Sequence, residues 1–111
     1  IDHLGRPLQG TPEEHDVIVK WADHKHTVMK ISSLPATRMY PHRDLQPIIN
    51  QLTDAFGCDR LIYGGGFDGS PKPDSYQEAF ARARGYFKGR NVDDTNKIFG
   101  LNALNLFRFD A

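Results

Sequence analysis

Apolar and polar positions follow two rhythms along this chain: a three-to-four-residue spacing that marks helices, and short β-branched or unbroken apolar runs that mark strands. Leu45, Ile48, Ile49, Leu52 and Phe56 give the clearest helical stripe. Asp44 stands at its cap, Pro47 falls in the first turn where a missing N–H costs nothing, and Gly57 stops it. An earlier stripe of Val17, Ile18, Trp21 and Ala22 follows Thr11-Pro12-Glu13-Glu14. That tetrapeptide combines a capping hydroxyl, a proline at the first helical position and a glutamate three residues after the cap, so a helix should start there and end near Asp23 to His26. Ser75-Tyr76-Gln77-Glu78 is a second capping box, with Tyr76, Ala79, Phe80 and Ala83 as its stripe. Val92 to Phe99 reads as a short helix whose N-terminus is favoured by Asp93 and Asp94. Gly100 should interrupt it, leaving Asn102 to cap a last segment with Ala103, Leu106 and Phe107.

Between these helices lie the strand signals. Arg60-Leu61-Ile62-Tyr63 runs straight into Gly64-Gly65-Gly66, as a strand buried on both faces would. Thr27 to Ser32 is a second strand, with Val28, Lys30 and Ser32 on one face and Met29 and Ile31 on the other. Ile1 to Pro7 reads as a strand terminus entering a loop, since Gly5 and Pro7 both break regular structure. Leu34 to Arg43 and Gly69 to Asp74 are loops. Strands that alternate with helices imply right-handed parallel crossovers, and in such α/β folds ligands gather beyond the carboxyl ends of the strands.

Composition narrows the function classes. The 111 residues suit one small domain, and 14 basic side chains balance 14 acidic ones. A nucleic-acid partner is not expected without a basic patch, and no apolar run is long enough for a membrane span. Cys58, the single cysteine, rules out an internal disulfide and suits a reducing, cytoplasmic location. Because the chain opens at Ile1, within a strand signal, it reads as a fragment of a larger fold.

Each chemically capable residue has a plain alternative. His3, at a strand's carboxyl end, is a ligand or an acid/base group, or else a histidine hydrogen-bonded within its loop. Arg6 is a carboxylate clamp or a surface ion-pair partner. Gly64, Gly66 and Gly69 spell a dinucleotide-type fingerprint, but Ser70-Pro71-Lys72-Pro73 follows where a helix should open, so these glycines are read as clearing space. His24 and His26 sit at a helix-to-strand junction, away from the expected site. Lys30 in an apolar strand calls for a carboxylate partner, most simply in a structural ion pair. Trp21, Phe56, Phe80 and Phe107 are core candidates, and Cys58 has no histidine beside it to make it a nucleophile.

Four segments in order carry a family resemblance: Ile1-Asp2-His3-Leu4-Gly5-Arg6-Pro7, Val28-Met29-Lys30-Ile31-Ser32-Ser33, Asp59-Arg60-Leu61-Ile62-Tyr63-Gly64, and Lys97-Ile98-Phe99-Gly100-Leu101-Asn102-Ala103-Leu104. Together they resemble the amidohydrolase-related (amidohydrolase 2) family of metal-dependent hydrolases with a distorted TIM barrel. The resemblance implies an α/β fold in which residues 1–111 are the C-terminal three βα units of a (β/α)8 barrel, with parallel strands and a helical C-terminal tail. It implies hydrolysis of lactones or amides, or decarboxylation, at the carboxyl face of the barrel. His3 then matches a histidine that polarises substrate or holds a divalent metal, zinc or manganese, and Arg6 matches an arginine that binds a substrate carboxylate.

One position departs from the pattern. Where the family has Gly-Ser-Asp and an aromatic residue, this chain has Gly64-Gly65-Gly66-Phe67, so Gly66 occupies the place of a carboxylate that activates water or binds metal. Glycine does neither. Asp68 could take over if the loop bends back, and Phe67 remains a substrate-binding candidate. Two readings result. In the first the chain is part of a hydrolase acting on a small carboxylated lactone, ester or amide, without turnover when isolated. In the second it is a non-catalytic part-barrel that assembles with the remaining strands or with itself.

Overall fold

The computed structural model describes residues 1–5, 7, 11–32, 34, 44–65 and 73–107. Helix α1 (Pro12–Lys20) begins at its capping signal: Thr11 is extended, and its hydroxyl accepts the Glu14 N–H at 3.1 Å. A turn at Trp21–Asp23 comes next, closed by the Thr27 hydroxyl, which lies 2.8 and 2.7 Å from the Trp21 and His24 carbonyl oxygens. Thr27 thus belongs to the turn, and strand β1 (Met29–Ser32) starts two residues later than its β-branched composition suggests. Before helix α2 (Gln46–Phe56), the Asp44 carboxylate accepts the Gln46 N–H at 2.9 Å, and Gly57 ends the helix with φ 77°. Strand β2 (Leu61–Gly65) is the second strand of the sheet.

Helix α3 (Pro73–Gly85) opens at its proline, two residues before Ser75, so the expected capping box lies inside its first turn. Helix α4 (Val92–Asn96) is capped by Asn91, whose side-chain oxygen accepts the Asp94 N–H at 2.8 Å, with Asp93 and Asp94 in the first turn as their charge predicts. Gly100 does not interrupt the helical path beyond α4. The chain passes through a π turn (Lys97–Leu101) into helix α5 (Asn102–Phe107), which absorbs the glycine without breaking the helix. Asn102 is therefore helical rather than a cap, and its amide donates to the carbonyls of Cys58 (2.6 Å) and Leu61 (2.9 Å), docking this helix on the start of β2.

Strands β1 and β2 pair in parallel, Met29 opposite Leu61, Lys30 opposite Ile62 and Ile31 opposite Tyr63; an irregularity then brings Ser32 opposite Gly65. The first residue of the chain joins them. Ile1 donates its amino hydrogen to the Val28 carbonyl (2.7 Å) and accepts from the Lys30 N–H (2.8 Å), the two bonds of one parallel residue pair. The N-terminal stretch, β1 and β2 therefore end at a common edge, as three parallel segments would, although the N-terminal one contributes a single paired residue.

One face of this sheet is the core. Met29, Ile31 and Leu61 are buried against Leu45, Ile49, Leu52 and Phe56 around α2, together with Leu4, Phe87 and Ile98. On the other face Lys30 extends along β2, where a Cβ on Gly64 would lie 2.6 Å from its Cδ; Gly64 thus clears the path of the lysine stem. Lys30 Nζ ends 3.1 Å from Asp2, the ion pair expected of a lysine within an apolar strand. Its hydrogen bond and charge hold the Asp2 carboxyl below the usual aspartate range. At the opposite end of the strands, Arg60 donates to the carbonyls of Phe56 (2.9 Å), His24 (3.1 Å) and Ala22 (3.0 Å) while lying over the Phe56 ring.

The helical stripes need two corrections. The inner face of α1 and the turn after it is His15, Ile18, Val19 and Ala22, while Val17 is 56% and Trp21 49% exposed. Counting only apolar residues conceals the buried His15 and rotates the expected face. Phe107 is 59% exposed, and Phe80 packs edge-on against Tyr63 and Phe99 yet remains 38% exposed, so only Phe56 of the four aromatic core candidates is fully enclosed.

The Leu52→Ala variant should lose about 2–5 kcal/mol in urea unfolding, since Leu52 is fully buried, whereas Val17→Ala should stay within about 0.5 kcal/mol of the parent. A second test concerns charge. With its folded-state value depressed, the Asp2 carboxylate contributes stability that is complete above the unfolded value of about 3.9 and is lost as pH falls through the folded value. Lys30→Met should accordingly move the Asp2 titration, tracked by carboxyl NMR shifts, to higher pH.

Candidate functional site

Three consecutive left-handed residues carry the chain over the carboxyl edge of the sheet: His3 (φ 54°), Leu4 (φ 58°) and Gly5 (φ 72°). Only glycine adopts this conformation without steric cost, and a bulky leucine there is held by its surroundings. Those surroundings are specific. The Leu4 side chain is buried in the core, the Gly5 N–H donates to the Asp2 carbonyl at 2.9 Å, and His15 of α1 donates its Nε2–H to the Leu4 carbonyl at 2.7 Å. A Cβ on Gly5 would meet Ile18 Cγ2 at 2.5 Å, so glycine is required for close approach as well as for its backbone angle.

The turn delivers His3 to the end of β1. Its Nδ1 lies 2.7 Å from the Oγ of Ser32, which is 1% exposed, while the imidazole itself is only half-buried. Ser32 in turn stands opposite Gly65, from which the sequence continues into Gly66-Phe67-Asp68. The hydroxyl fixes one ring nitrogen and leaves Nε2 available. If Ser32 donates to Nδ1, the ring presents Nε2–H to a ligand; if Nδ1–H donates to Ser32, Nε2 offers a lone pair. Either form suits an acid/base or polarising role at the edge where parallel α/β folds keep their chemistry.

Of the residues singled out from sequence, His3 is thus placed at this edge, while Arg6, Gly66, Phe67 and Asp68 lie outside the described residues. His24 and His26 are exposed before the start of β1, at the other end of the strand from His3. Cys58 is half-buried, and burial, reinforced by the charge of Asp94, pushes its thiol up, which leaves it a poor nucleophile.

Sequence reasoning misses Ser32 and His15 as site residues. Alternation puts Ser32 on the correct face of β1, and its position at the strand end opposite the glycine run is the available signal. His15 sits three residues before Ile18 and four before Val19, the spacing of a buried stripe, but its polarity removes it from an apolar count. Tyr63 also gains meaning here. It stacks against Phe80 and Phe99 at 5.5 and 5.2 Å between ring centres, its hydroxyl is buried with no hydrogen-bond partner among the described residues, and burial raises its pKa. A cleft of about 380 Å³ between the end of α3 and the start of α4, lined by Arg84, Phe87, Lys88, Arg90 and Thr95, includes none of these groups.

Comparison with known proteins agrees with this geometry. The family model for amidohydrolases matches residues 1–109. No curated protein matches the chain. Among solved structures, an amidohydrolase from Burkholderia multivorans with bound zinc superposes with a TM-score of 0.74 at 18% identity, covering 98% of this chain and 43% of the other. A second crystal form of a Burkholderia multivorans amidohydrolase, with bound HEPES, gives a TM-score of 0.70 at 19% identity, over 99% and 44% of the two chains. The present chain therefore spans less than half the length of the structures it resembles. With the match extending over almost every residue, and the parallel strands ending together as the resemblance implied, this chain belongs to the amidohydrolase family.

Proposed function

We propose that residues 1–111 form the C-terminal three βα units of an amidohydrolase-type barrel hydrolysing a small carboxylated lactone, ester or amide. The observation that supports this most directly is the His3 imidazole, fixed by Ser32 at 2.7 Å on a left-handed turn above the carboxyl edge of the sheet. In the tautomer that this reading requires, the Ser32 hydroxyl donates to Nδ1 of His3 and the ring presents Nε2–H. That donor would polarise the substrate carbonyl and stabilise negative charge on its oxygen as water adds. Arg6 would bind the substrate carboxylate, Phe67 would pack against the substrate, and Asp68, in place of the carboxylate missing at Gly66, would take a proton from the attacking water and return it to the leaving oxygen or nitrogen as the C–O or C–N bond breaks and the carbonyl re-forms.

One of the Burkholderia multivorans relatives holds bound zinc. A catalytic zinc centre takes three protein ligands, and among the described residues no three His, Cys, Asp or Glu side chains come together. These residues alone do not fit a zinc or manganese centre: His3 would supply one ligand. The steps above therefore use this chain's own side chains.

The second reading, a non-catalytic part-barrel, is favoured by Gly66 and by the apolar groups left uncovered. Leu101, Leu104, Leu106 and Phe107 are each about half exposed on the last helical segments, and β2 pairs on one edge only among the described residues. Both readings call for the remaining strands of a barrel, or a second copy, to cover these surfaces. No described helix is long and apolar enough to cross a membrane.

The two readings separate in a lactone and ester panel with zinc or manganese. The 111-residue chain assayed alone should give no hydrolysis above background, whereas the protein assembled with the remaining barrel strands should turn over. There His3→Gln should lower kcat/KM by about 10²–10⁴. Turnover indifferent to His3→Gln would refute the role given to His3, and an assembled but inert protein would favour the scaffold.

A further inference from the structure

We propose that His15 is a positioning residue, whose Nε2–H, donated to the Leu4 carbonyl, holds the left-handed His3-Leu4-Gly5 turn and thereby keeps the His3 imidazole on Ser32. The role rests on the proposed function only in taking His3 as the reactive group; the geometry stands without it.

Three independent observations converge. First, the turn is held against its own preference: His3 and Leu4 both have positive φ, a conformation that costs free energy for residues with a Cβ and persists only when neighbours over-determine it. Second, the contact is short and enclosed, with His15 only 7% exposed and its Nε2 2.7 Å from the Leu4 oxygen. A buried carbonyl without a donor is costly, so this oxygen favours whatever turn geometry brings it to His15. Third, the same face of α1 closes on the next residue, with Ile18 against Gly5. Helix α1 thus grips the turn at two points, one polar and one apolar.

The consequence for His3 comes from chain geometry. The carbonyl that His15 holds belongs to the residue directly after the one whose ring meets Ser32, so the bond fixes Leu4 against α1, and a turn released from α1 would no longer hold the adjacent His3 backbone at the strand end. The hydrogen bond of His15 goes to the Leu4 backbone, and that of His3 to Ser32, so the influence of one histidine on the other passes through the turn itself. Glutamine can replace the donated hydrogen. Phenylalanine preserves much of the ring volume and cannot.

The test reads imidazole nitrogens by ¹⁵N NMR in the intact protein and needs no activity. In the parent, His15 should be the Nε2–H tautomer with a slowly exchanging ring proton, and His3, held on Ser32, should be a single tautomer. His15→Phe should convert the His3 signals to a tautomer mixture and speed exchange of the Gly5 amide, which is bonded to the Asp2 carbonyl, by on the order of tenfold or more. His15→Gln should restore both. Unchanged His3 signals and Gly5 exchange in His15→Phe would overturn the proposal, as would equal loss in both variants. Should His15→Phe fail to fold, the parent alone decides: an Nδ1–H tautomer at His15, or a freely exchanging Nε2 proton, refutes it. A protein that meets these expectations, yet hydrolyses nothing when assembled with the remaining barrel strands, would refute the hydrolase reading and leave the positioning role standing.

Discussion

Everything at the candidate site depends on the hydrogen bonding around β1. Because Ile1 pairs beside Met29 and Leu61 pairs opposite it, two segments far apart in sequence are brought to one edge and made to run the same way. Parallel pairing needs long crossovers, and helices α1 and α2 supply them while covering one face with Ile49, Leu52 and Phe56. The other face carries Lys30, Asp2 and Ser32 beside the buried Ile62. Simple alternation in β1 divides the apolar side from the side that carries Lys30.

The chain treats the two ends of its strands differently. At the amino end, Arg60 joins three carbonyls from α2 and the α1-to-β1 connection, and Asn102 joins two more near the start of β2. These bonds tie together backbone segments from three parts of the chain. At the carboxyl end, the contacts serve instead to hold an unfavourable turn and present a half-buried imidazole. Barrel folds usually keep stabilising contacts at the amino ends of their strands and chemistry at the carboxyl ends.

Much of this is legible in the residues. The Thr11-Pro12 cap, the α2 stripe, the apolar strand that runs into Gly64 and Gly65, and the need of Lys30 for a carboxylate all come from local chemistry and hold in the structure. The features that escape a sequence reading are decided by tertiary contact. The hidden face of α1 is defined by a histidine that a hydropathy count discards, and the left-handed turn at His3 and Leu4 has no local signature beyond Gly5, since leucine by itself argues against it. Gly100 misleads for the opposite reason: it is a local breaker whose effect the surrounding helix overrides.

That override has a structural meaning of its own. A π turn carries one more residue than the α turn it replaces, so the Lys97–Leu101 segment sets the angular phase of all the chain beyond it. Removing a single residue there would rotate α5 by about 100°. Asn102 would then swing off the Cys58 and Leu61 carbonyls and the docking of the last helix would be lost, which makes the length of this segment, more than the identity of its glycine, the quantity that the fold has to keep.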